Sequence, residues 1–98
     1  MASRVKVFVH RIVLTEHVFD KVRSIDMTLA EFNGLLHGVG VVIEEREVRA
    51  GLKEVVLYLE WARPVHVVVL IDEDHREERI LTVYEPDPAR WSPDHRRR

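Results

Sequence analysis

Ninety-eight residues, 46% of them apolar, suffice for one hydrophobic core but not two, and a charged fraction of 33% does not reach the composition of a disordered chain. Seventeen acidic against fifteen basic residues leave a formal charge of −2, which excludes a uniformly basic nucleic-acid binder. Cysteine is absent, so disulfides, thiolate zinc sites and cysteine nucleophiles are excluded, and no stretch approaches the ~20 apolar residues of a membrane span. A single soluble cytoplasmic domain over residues 1–98 is expected.

In chain order, the first segment, RVKVFVHRIVL, places Val5, Val7 and Val9 on one parity and Arg4, Lys6 and His10 on the other. This predicts one strand at a sheet edge. Thr15 is a candidate N-cap for a helix over EHVFDKVRS, with Val18, Phe19 and Val22 at helical spacing and Glu16 where the helix dipole favours an anion. Thr28 and Glu31 form a capping-box pattern before the stripe Leu29, Phe32, Leu35 and Leu36, which Gly38 and Gly40 end.

The period then changes to two. Val41 and Ile43 alternate with Glu44 and Arg46, Gly51 marks a turn, and Val55, Leu57, Leu59 and Trp61 share one parity of the returning strand. VHVVVLI is apolar on both parities and reads as the most buried, central strand. A charged turn over DEDHREE leads to a last strand, RILTVYE, and Pro86, Pro88 and Pro93 stop regular structure beyond it. The expected fold class is α+β, with two N-terminal helices packed on a mainly antiparallel four- to five-stranded sheet. The basic tail, residues 92–98, is expected to be disordered.

The ordered set His17, Arg23, Thr28, His66, Tyr84, Pro86 and Trp91, spread over residues 12–91, resembles an uncharacterised bacterial domain family grouped with the RelE/ParE-like and BrnT-like toxins. The resemblance implies a RelE-like fold and a toxin-like, metal-independent ribonuclease in a toxin–antitoxin context, acting on RNA and covered by an antitoxin protein. It departs from the RelE type in its slight acidity, and DKVRS leaves only Lys21 and Arg23 as cations in the first helix.

Such a ribonuclease needs a base for the 2′-hydroxyl, an acid for the leaving oxygen and a cation for the charged transition state. His17, His66 and Tyr84 suit the first two tasks and Arg23 the third. If the last two strands pair about residues 72–78, His66 meets Tyr84 at a wet end of the sheet, and the first helix has to cross that end for His17 to join. Each residue also has a structural reading: His17 as a surface or capping histidine, Arg23 as a helix-end cation, His66 as a core or edge histidine, Tyr84 as an amphipathic sheet residue.

The six histidines, at 10, 17, 37, 66, 75 and 95, form no i, i+4 pair, so neither a metal nor another cofactor is expected. DEDH at 72–75 reads as a solvated turn, Trp91 as a plug over the sheet edge rather than a base-stacking platform, and Arg96–Arg98 as a modest phosphate contact. The second functional reading is a non-catalytic module that binds a protein partner or itself as a homodimer. A third is a gyrase-directed activity of the ParE kind. A basic cleft around His17 and His66 favours the ribonuclease; an acidic or apolar one favours the module.

Overall fold

The computed structural model describes residues 5, 6 and 8–93, and the expectations for the tail beyond Pro93 lie outside the described residues. The elements are β1 (Val5–Lys6), β2 (Arg11–Leu14), α1 (Glu16–Ser24), α2 (Leu29–Leu36), β3 (Gly40–Arg49), β4 (Leu52–Glu60), β5 (Pro64–Asp72) and β6 (Glu77–Tyr84). They build one six-stranded sheet in the order β1-β3-β4-β5-β6-β2. The β3–β4, β4–β5 and β5–β6 pairs are antiparallel, as is β1 on β3, whereas β2 runs parallel to β6.

This architecture corrects the expected fold class. The sheet has six strands rather than four or five, it is mixed, and the helices follow two short strands instead of opening the chain. The predicted first strand is the reason. Its residues divide between β1 and β2, which lie on opposite edges of the sheet. In a flat sheet five interstrand steps separate the edges by ~24 Å, but the five residue steps from Lys6 to Arg11 reach at most ~18 Å. The sheet therefore curls until its edges approach.

A buried carboxylate holds the crossing. Glu78 on β6 has no exposed surface, yet it accepts the backbone N–H groups of Val9 (3.0 Å) and His10 (2.9 Å) and forms an ion pair with Lys6. Alternation consequently does not mark the core here: Val5 and Val9 of the apolar parity are exposed, while Phe8, Ile12 and Leu14 pack on the core.

The core lies on the face of the sheet that carries the helices. Val55, Leu57 and Leu59 of β4 and Val65, Val67, Val69 and Ile71 of β5 point there, alternate residues as strand geometry requires. On β6 a register shift opposite Val68 and Val69 turns both Ile80 and Val83 inward despite their opposite parity. Val18 and Val22, one helical turn apart, seat α1 on this surface, and Phe32 and Leu36 seat α2.

Local chemistry sets the helix ends. Thr28 accepts the Glu31 N–H at 3.0 Å while the Glu31 carboxylate accepts the Thr28 N–H at 2.9 Å, so the capping box is complete. Thr15 has extended N-cap geometry but makes no side-chain cap bond. Asp26, at φ 58°, reverses the chain after α1, and Arg63 from the β4–β5 turn donates to the Ile25 carbonyl there.

Candidate functional site

Among the described residues no helix packs on the opposite face of the sheet, and His66 belongs to that face. The β4–β5 and β5–β6 registers place Tyr58, His66 and Tyr84 in one cross-strand row. The side chains of Val65 and Val67 on either side of His66 enter the core, so His66 points away from it. His66 Nδ1 lies 3.4 Å from the Tyr84 hydroxyl, with the two rings edge to face at 5.3 Å between centroids.

The expected wet sheet end is not found at His66, which has no exposed surface. The cover is Trp91, 4% exposed, whose ring meets His66 at 4.5 Å between centroids and 87° between planes. Beyond Tyr84 the chain folds back as a strap. Asp87 organises it: its carboxylate accepts the Ala89 N–H at 2.9 Å, and its carbonyl accepts the N–H groups of Arg90 and Trp91, each at 2.9 Å. Glu85 is tied at 2.6 Å to Arg63. Trp91 is thus a cover on a sheet face rather than a plug on an edge.

Of the four residues predicted to share a site, the structure brings together His66 and Tyr84. His17 and Arg23 are placed elsewhere. Both are exposed on α1, whose Val18–Val22 side packs on the other face of the sheet, and Arg23 pairs at 2.5 Å with Asp20. Helix α1 lies against β6 on the core side of the sheet, the face opposite His66.

Beside the His66–Tyr84–Trp91 cluster the helix-free face opens into a groove of about 450 Å³. Val56 and Val68 form its floor, and Tyr84 and Trp91 form an aromatic wall. Its rim carries four carboxylates, Glu44, Glu54, Glu85 and Asp87, against one guanidinium, Arg90. A hollow of about 440 Å³ shares Glu44, Glu54 and Val56 and extends it along β3. Arg46 reaches Glu54 at 3.3 Å as a cross-strand pair, exposed enough to exchange partners readily.

The rim was not among the residues singled out from the sequence. The available signal was the second parity of β4, where Glu54, Val56 and Tyr58 mix charge with apolar bulk, followed by EPDPARW. No group of three or more His, Asp or Glu among the described residues could hold a metal ion, and no described helix is long and apolar enough to cross a membrane. Comparison of the chain with family models, with curated proteins and with solved structures finds no match, so the geometry of this face carries the functional reading.

Proposed function

We propose that the chain is a cytoplasmic, non-catalytic protein-binding module whose helix-free face receives an extended, positively charged segment of a partner protein. The observation that carries this reading is the groove: an apolar floor and aromatic wall under a rim of four carboxylates and one guanidinium. An extended segment bearing Arg or Lys suits it, because aliphatic stems pack on Val56 and Val68 while cationic heads reach the rim and the half-buried Tyr84 ring. The same rim repels a phosphodiester backbone, which counts against RNA as the occupant. The absence of cysteine suits a reducing compartment.

Fluorescence anisotropy with a labelled alternating Arg-Val octapeptide tests the reading, with an alternating Glu-Val octapeptide and a single-stranded RNA as controls. Binding of the cationic peptide that weakens with salt and drops at least about tenfold in Glu54→Arg is expected. Equal binding of the Glu-Val peptide would contradict the charge argument. The ribonuclease reading retains one observation, the approach of His66 to Tyr84. RNA cleavage by the purified chain, abolished in His66→Ala, would replace the binding reading with it.

A further inference from the structure

We infer that His66 is the positioning residue of this groove: its imidazole is the seat on which Trp91 closes the C-terminal strap, and the groove exists in binding-competent form only while that seat is occupied. The inference rests on the binding reading just given and identifies what holds that site together.

Much of the groove belongs to the strap. Glu85, Asp87, Arg90 and Trp91 of the strap supply half of the acidic rim, its guanidinium and one of the two aromatic rings, whereas the sheet supplies the floor, Tyr84, Glu44 and Glu54. The Asp87 hydrogen bonds make residues 87–91 a preformed turn, but a preformed turn must still dock. Of its two side-chain ties to the sheet described above, the Glu85–Arg63 pair is exposed on both sides, 42% and 41%, and exposed pairs of this type hold a loop weakly, while Trp91 also makes a backbone β-bridge. The Trp91–His66 contact is buried on both sides.

The contact also has the geometry that aromatic rings prefer. At 87° and 4.5 Å the indole and imidazole meet edge to face, and Tyr84 meets the same imidazole at 70° and 5.3 Å from a second direction. His66 is thus a small flat ring between two larger ones. A branched aliphatic side chain of similar volume fills the space but offers no ring face, so it leaves Trp91 in contact without a preferred orientation. A phenyl ring keeps the face and removes both ring nitrogens. His66→Leu and His66→Phe therefore separate seating from mere filling and from any acid–base role of the imidazole.

The experiment uses the full chain with Trp61→Phe, which leaves Trp91 as its single tryptophan. Trp91 emission and Arg-Val octapeptide binding are measured in parallel, with thermal melting as the control for folding. For His66→Leu the expected result is red-shifted emission and about tenfold weaker peptide binding, whereas His66→Phe keeps both near the parent. Trp91→Leu, which leaves the sheet residues intact, is expected to lose binding to the same extent and to make His66 accessible to diethyl pyrocarbonate.

Unchanged emission and binding in His66→Leu would overturn the inference. So would the loss of both in a folded His66→Phe, since the nitrogens rather than the ring would then matter. If His66→Leu fails to fold, Trp91→Leu decides: binding at the parent level with His66 newly reactive refutes the coupling of strap to groove. Should the parent not bind the octapeptide at all, the binding reading fails, while the emission comparison still decides whether His66 seats Trp91.

Discussion

Glu78 and His66 are the two fully buried polar side chains among the described residues; they sit on neighbouring strands, point to opposite faces of one sheet, and are accommodated by different physics. Glu78 lies on the core face, where a carboxylate is tolerated only with partners, and it has two backbone N–H donors and the Lys6 ammonium. His66 lies on the helix-free face and is covered by rings, with Tyr84 beside it and Trp91 above. The difference teaches that burial alone does not mark a functional site. Glu78 closes the sheet by tying the crossing segment to β6, a structural task, whereas the cover on His66 forms one wall of an open groove.

The sharpest way to break this comparison is to remove charge from one face and ring from the other. Lys6→Met leaves the Glu78 carboxylate without its cation and is expected to cost about 3–5 kcal/mol in urea unfolding. Adding Glu78→Gln, which keeps an acceptor for the Val9 and His10 N–H groups, is expected to recover much of that loss. His66→Phe, in contrast, keeps the ring contact and adds only modest volume, and is expected to cost about 1–3 kcal/mol. If the Lys6 and His66 variants lose equal stability, the two faces do not differ in the way described.

A second contrast concerns helix capping. Thr28→Ala removes the acceptor for the Glu31 N–H and is expected to cost about 1 kcal/mol, while Thr15→Ala, lacking any such bond to lose, is expected to be nearly silent in the same unfolding assay.

The smallest expected effect is acid sensitivity. The Thr28 N–H holds the Glu31 carboxyl below its usual value of 4.5, the His75 N–H holds Asp72 below 3.8, and the Arg11 guanidinium holds Glu77 below 4.5. These groups bind protons more weakly folded than unfolded. Their stabilisation is complete above those usual values and is lost as pH falls through the lowered ones, so stability should decline below about pH 4.5. Arg11→Met is expected to flatten that decline, as measured by melting temperature against pH.

Much of this molecule is legible in its sequence where one local rule acts at a time. The capping box at Thr28 and Glu31, the two-residue period of β3 and β4, and the apolar run that makes β5 a central strand follow from propensity and alternation. The pairing of His66 with Tyr84 follows from counting back from the hairpin turn. What sequence reasoning missed depends on long-range events. Residues 4–14 alternate like a strand, yet the path at Val9 and His10 is set by Glu78, nearly seventy positions away, which no local window contains. Glu78 itself sits in a charged stretch, and only its shared parity with Ile80 hinted at burial. The prediction that His17 and Arg23 join His66 required the helix to reach a particular side of the sheet, and two valines, Val18 and Val22, decide that it lies on the other.

The central claim is that the helix-free face, and not the helix side, is where this protein meets its partner. Chemical-shift mapping of the isotope-labelled chain during titration with the Arg-Val octapeptide tests it most directly. The account predicts perturbations at Val56, Val68, Tyr84 and the Trp91 indole N–H, with residues 16–24 of α1 unmoved. Perturbations centred on His17 and Arg23, with the Trp91 indole signal unchanged, would contradict it.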